Sequence, residues 1–248
     1  MPSRKETFVV RGYEADAFGT LAVPALSGYL GEVAGAHASE LGVGLGALMS
    51  RGLTWVLVRQ RIEIPAAVRL GETIEIETWP AGVDRLAALR DFVVRRGGEE
   101  VARATTQWFV LDLETRKPSR PADVLDARFP REPLDPAVRL SPGKLPGLAS
   151  WHVQKRFHVR YGDIDANQHV TNASYVAWAI EAVPPDVWRS SRPASVEVQF
   201  LAETHHGSAV LSRLAATGDR SFAHAIVREE DGRELARVAT SWVPRPAT

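Results

Sequence analysis

Val101-Ala-Arg-Ala-Thr-Thr-Gln-Trp108 reads against Leu235-Ala-Arg-Val-Ala-Thr-Ser-Trp242 at an offset of 134. Phe8-Val-Val-Arg11 reads against Phe157-His-Val-Arg160, and Asp16-Ala17 against Asp165-Ala166, both at an offset of 149. Gly71 falls opposite Gly207. The matches keep one order in both halves, as a duplicated chain requires. The larger offset at the start places about 13 extra residues between the first helix and the next strand of the N-terminal half.

Each half opens on a short strand (6–14 and 153–162) followed by one helix. The first helix is expected from Pro24, tolerated in an opening turn, to Leu41; the second from Asn172 to Val183, stopped by Pro184-Pro185. Strands follow in each half. Thr73-Ile-Glu-Ile-Glu-Thr-Trp79 alternates with the period of a half-buried strand. Residues 58–64, 88–96 and 104–113 continue the first series; 196–201, 209–215, 223–229 and 236–243 make the second. Gly97-Gly98 and Asp231-Gly232 read as hairpin turns. One helix and a run of antiparallel strands, given twice, predict an α+β fold with a helix packed on a curved sheet. Residues 115–150 hold seven prolines without periodicity and read as a linker between domains 1–114 and 151–248.

Composition narrows the function. The 248 residues carry 30 basic and 30 acidic side chains, which argues against a dedicated nucleic-acid binder. No apolar run approaches the roughly 20 residues of a membrane span. Met1–Glu6 holds no apolar signal core, so a cytoplasmic protein is expected. The arginine, alanine and glycine richness suggests a GC-rich bacterial genome. The absence of cysteine removes disulfides, thiolate metal sites and a cysteine nucleophile together.

The polar run Arg160-Tyr-Gly-Asp163-Ile-Asp165-Ala-Asn167-Gln-His169-Val-Thr-Asn172 stands between strand and helix of the second half. An imidazole near neutrality serves as base or orienting donor. A carboxylate holds a water or attacks a carbonyl carbon. An amide donates to an oxyanion, and the helix start favours developing negative charge. These are parts for ester or thioester hydrolysis. The competing reading is a polar turn, with the aspartates bonding backbone and Thr171 or Asn172 capping the helix. At the same offset the first half keeps Asp16 but has Phe18 for Asn167 and Thr20 for His169, so one copy alone carries the full set.

Arg160–His169, with the helix bearing Tyr175, Trp178 and Glu181, resembles the signature of acyl-acyl carrier protein thioesterases, plant and bacterial enzymes with two tandem hotdog domains. Arg51-Gly-Leu-Thr-Trp55-Val, Gly71–Trp79 and Leu89-Arg90-Asp91-Phe92 are similar to the family's first half. The resemblance covers nearly the whole chain. It implies hydrolysis of acyl-acyl carrier protein, bearing a 4'-phosphopantetheine thioester, to free fatty acid and holo-carrier, without metal or organic cofactor. It implies Asp165, Asn167, His169 and Glu203 as catalytic residues, with Asp165 as nucleophile or base. The thioester would lie against backbone near Val170, Thr171 and Asn172, with Thr204 and Trp178 as further substrate contacts. Thr204 stands where the plant enzymes have cysteine, and Thr171 where the family usually has asparagine. The first half would house the acyl chain. Arg189 and Arg192 would meet an acidic carrier. The two domains would pair as an internal pseudo-dimer, in a monomer or a homodimer. The alternatives are an acyl-coenzyme A thioesterase, a hydratase or dehydratase of the same fold, and a non-catalytic acyl-binding protein.

Overall fold

The computed structural model describes residues 2–125, 129–130, 134–165 and 168–245. The chain forms two compact units, residues 1–140 and 141–248. The first contains β1 (Arg4–Val9), α1 (Val23–Glu40), α2 (Leu45–Met49), β2 (Leu53–Glu63), β3 (Thr73–Asp84), β4 (Ala87–Arg96), β5 (Glu99–Asp112), β6 (Pro118–Ser119) and α3 (Pro121–Val124). The second contains β7 (Val153–His158), α4 (Asn172–Glu181), α5 (Pro185–Ser190), β8 (Ser191–Phe200), β9 (Ala209–Gly218), β10 (Ser221–Arg228) and β11 (Glu234–Pro244). Within the first unit the strands pair antiparallel in the order β1-β3-β4-β5-β2; within the second, β7-β9-β10-β11-β8. Each unit is therefore the expected hotdog, one main helix laid on an antiparallel sheet.

The helices follow from their apolar spacing. Val23, Leu26, Leu30, Val33, Ala34 and Ala38 of α1 recur every three or four residues and are buried. The helix ends in a left-handed Gly42 (φ 73°), with Val43 N–H bonded to Ala38 O at 2.9 Å and Gly42 N–H to Ser39 O at 3.0 Å. Those two bonds satisfy its last carbonyls. In α4, Tyr175, Val176, Trp178 and Ala179 face inward. At the β4–β5 hairpin, Gly97 and Gly98 both take positive φ, as a two-residue turn matched to strand twist requires.

The repeated motif builds the same contact twice. Trp108 Nε1–H donates to Thr106 Oγ1 at 2.9 Å, and Trp242 Nε1–H donates to Thr240 Oγ1 at 3.1 Å. One strand over, Arg90 in β4 and His224 in β10 are both buried. Arg90 Nη1 lies 2.9 Å from His37 Nδ1 and donates to Thr78 Oγ1 at 3.2 Å. His224 Nε2 lies 3.0 Å from Thr240 Oγ1. Thr240 thus serves two buried rings. Replacing it with valine strands both nitrogens, so Thr240→Val is expected to lower the urea-measured stability by about 2–4 kcal/mol.

Three expectations change. The extra length of the first half lies largely inside its helix, 18 residues in α1 against 10 in α4, rather than after it. Pro184-Pro185 ends α4 but also opens α5, because proline suits a first helical turn. The segment 115–150 does not stand apart as a linker. Its first part pairs with β5 through β6, and Asp91 accepts Ala137 N–H at 2.9 Å. Its later part is laced to the second sheet. Glu197 accepts Ser141 N–H and Oγ–H, Gln199 accepts Leu145 N–H, and Arg237 donates to Leu145 O.

Candidate active site

The second unit gathers the chemistry into the loop between β7 and α4 and the loop after β8. Tyr161–Asp163 is a single 3-10 turn. Beyond it the two arms of the loop are tied back to back. Asp165 N–H donates to His169 O at 2.8 Å, and Thr171 N–H donates to Asp163 O at 2.8 Å. Asp165 Oδ1 accepts His169 N–H at 3.1 Å. Gln168 closes the tip with φ at 64°, a left-handed conformation uncommon for a non-glycine residue.

That geometry directs His169 outward. Its Nε2 lies 3.0 Å from Glu203 Oε2, with the imidazole 46% and the carboxylate 42% exposed. The pair is accessible to substrate, and its partly solvated setting makes it an orienting contact rather than a stability element. His205, two residues further on, brings its ring to 6.2 Å from that of His169. Asp165, His169 and Glu203 are therefore placed around one loop. Asn167 lies outside the described residues.

Below the loop is a network that sequence reading missed. Asp163 is buried and accepts from Arg160 N (2.8 Å), Nε (3.1 Å) and Nη2 (2.9 Å) and from Ser174 Oγ (3.3 Å). Burial pushes its carboxyl upward, but the bonds from Arg160 and Ser174 outweigh that and hold it below the usual range. Thr171 caps α4, its Oγ1 accepting Ser174 N–H at 3.3 Å and lying 2.9 Å from Ser174 Oγ. The polar-turn reading foresaw the cap, but not the link from Ser174 back to Asp163.

The remaining expected residues are placed as follows. Thr171 N–H is consumed by Asp163 O, so it does not serve as an oxyanion donor. Asn172 opens α4, where first-turn N–H groups lack intrahelical partners. Val170 is buried. Thr204 is fully buried, and its Oγ1 has no hydrogen-bond partner among the described residues. Trp178 is a core residue, stacked 6.4 Å from Phe157 and edge-on to Tyr175 at 5.3 Å. Arg189 and Arg192 follow the C-terminal end of α4, roughly 15 Å along the helix from the loop. Arg189 covers the Trp188 ring at 5.1 Å. Arg192 is half-buried, donates to Pro193 O, and burial lowers its pKa. Neither flanks the His169 loop.

The first unit holds the same loop without the chemistry. Asp16 Oδ1 accepts Phe18 N–H and Thr20 N–H, and Oδ2 accepts Thr20 Oγ1–H. Asp16 N–H donates to Thr20 O at 2.7 Å, matching the bond from Asp165 to His169 O. Gly19, at φ 71°, stands where Gln168 stands. The aspartate therefore builds the turn in both copies, and the histidine with its carboxylate partner is added in one.

The acyl-ACP thioesterase N-terminal domain matches residues 3–128, and the C-terminal domain of the same family matches 149–244. The chain belongs to the acyl-ACP thioesterase family. It is 29% identical over 261 residues to a chloroplastic acyl-[acyl-carrier-protein] hydrolase of Cuphea viscosissima, covering 98% of this chain and 63% of that protein. It is 27% identical to the chloroplastic oleoyl-acyl carrier protein thioesterase 1 of Arabidopsis thaliana, covering 99% of this chain and 77% of the relative. Among solved structures, the 12:0-ACP thioesterase of Umbellularia californica aligns with a TM-score of 0.86 at 25% identity, covering 98% of each chain. An acyl-ACP thioesterase of Bacteroides thetaiotaomicron aligns with a TM-score of 0.85 at 24% identity, covering 97% of this chain and 98% of that one.

Proposed function

We propose that the protein hydrolyses the thioester of an acyl-acyl carrier protein, releasing free fatty acid and the carrier's pantetheine thiol. The observation that carries this reading is the His169–Glu203 pair at 3.0 Å beside Asp165, in the one loop of the two that has the imidazole. The carbonyl oxygen sits toward the first turn of α4, where N–H groups free of intrahelical bonds stabilise the developing oxyanion. Asp165 either attacks the carbonyl carbon or takes a proton from the attacking water. Both routes add the elements of water across the C–S bond. His169, oriented by Glu203, delivers the proton to the departing thiolate. Thr204 is no candidate nucleophile, since its hydroxyl is fully enclosed.

The first unit, whose loop lacks histidine, is assigned the acyl chain. Each methylene buried there contributes about 0.8 kcal/mol, so chain-length preference is graded. The test is thiol release by the purified protein from matched acyl-carrier and acyl-coenzyme A thioesters of several lengths. Faster release from the carrier substrates is expected. Faster release from coenzyme A changes the partner and keeps the chemistry; release from neither overturns the hydrolase reading.

A further inference from the structure

We infer that Asp163, Ser174 and Thr171 form a positioning relay that fixes the His169 loop onto the first turn of α4. The direction of its hydrogen bonds is set by chemistry. A carboxylate only accepts, so the Ser174 hydroxyl donates to Asp163 Oδ1. With its proton committed there, Ser174 Oγ accepts from the Thr171 hydroxyl at 2.9 Å. Thr171 Oγ1 in turn accepts Ser174 N–H, closing a ring between the helix and its cap. Thr171 N–H donates to Asp163 O, so the ring also spans both arms of the loop. Asp165 lies two residues beyond one anchor and His169 two residues before the other. The loop's catalytic side chains therefore hang between two fixed points.

The twin shows that the fold itself does not demand this device. At the equivalent of Thr171 stands Ala22, at that of Ser174 stands Ala25, and α1 begins with no side-chain cap. The Arg11–Glu14 turn is kept there, with the Glu14 carboxylate accepting Arg11 N–H at 2.8 Å and Glu14 O accepting Ala22 N–H at 2.9 Å, but the carboxylate meets Tyr29 on α1 instead of a hydroxyl of the helix's first turn. The hydroxyl relay is present in the copy that holds His169 and absent from the copy that lacks it. Its expected role is to hold His169 in register with Glu203, because displacement by about 1 Å in a catalytic group costs up to a hundredfold in rate.

This inference takes its kinetic readout from the hydrolase reading, and a second readout is independent of it. Ser174→Ala is expected to lower kcat about tenfold with KM within about twofold of the wild type, and Ser174→Thr to restore kcat by returning the hydroxyl. In the same variant, hydrogen exchange of the His169 and Thr171 amides is expected to quicken about tenfold while that of Ala179, mid-helix in α4, is unchanged. A purely structural serine would loosen the whole helix alike and leave kcat below the melting range intact. Thr171→Val, which removes the middle of the relay, gives the same pattern and serves if Ser174→Ala does not fold. If the wild type releases no thiol, the hydrolase reading falls and the amide exchange alone decides the relay. Unchanged exchange at His169 and Thr171 overturns it.

Discussion

Asp165→Asn is expected to lower kcat for thiol release by about a thousandfold while leaving the protein folded. The amide oxygen still accepts His169 N–H, now 3.1 Å from Asp165 Oδ1, so the turn survives. What disappears is the negative charge that, in the proposed mechanism, attacks carbon or takes the proton from water. The matching change in the twin, Asp16→Asn, is the internal control. Asp16 makes three turn bonds and faces no histidine of its own, so kcat should stay within about twofold. Steady-state kinetics on the two variants, with urea unfolding beside them, separates chemistry from shape. Equal losses in both would remove Asp165 from the reaction.

The second large effect is acid sensitivity well above the carboxylate range. Burial, aided by the Arg90 cation, holds the His37 imidazole down to about 4, and burial alone holds His224 down to about 3. Both titrate near 6.5 in the unfolded chain. A depressed folded-state pKa means that the unfolded chain binds the proton first. Stability is therefore complete above pH 6.5 and falls as the pH drops toward 4 and 3. At pH 5 each histidine has cost about 2 kcal/mol, a large part of a typical total of about 5–15 kcal/mol. Urea midpoints between pH 7.5 and 5 should show the decline. His224→Gln should remove about half of the slope, and a flat profile would mean that these rings are not buried neutral. Asp163, whose carboxyl lies below the usual range, adds its own loss only at lower pH.

What was legible in the sequence is what repeats or alternates. The Thr-x-Trp ending of the repeated motif located one strand of each sheet, and the structure shows why it recurs: the threonine hydroxyl satisfies the indole N–H. The period of Thr73–Trp79 found β3, although the strand runs on to Asp84 through Pro80 and a register shift that no alternation marks. The loop was legible as a composition, aspartate with histidine, while Glu203 was reached only through the family resemblance, and the fold brings His169 and Glu203 together across 34 positions. The Ser174 relay was not legible, because a serine in a helix's first turn looks like an ordinary capping neighbour until Asp163 is seen beneath it. Arg90 and His37 escaped for the same reason. They are separated by 53 positions, and each alone reads as surface or core at will. Arg189 and Arg192 were placed by nearness in sequence to the helix, whose length carries them away from the loop.

The shared aspartate turn also decides what a random mutagenesis screen would recover. A substitution at Asp165 that removes its acceptor disturbs the loop backbone as well as the reaction, and so tends to lower soluble yield. A substitution at His169 or Glu203 takes away a side chain that is itself about half exposed. Sorting a library for well-expressed but silent clones should therefore enrich changes at His169 and Glu203. Acceptor-removing changes at Asp165 should collect with those at Asp16 among the poorly expressed ones.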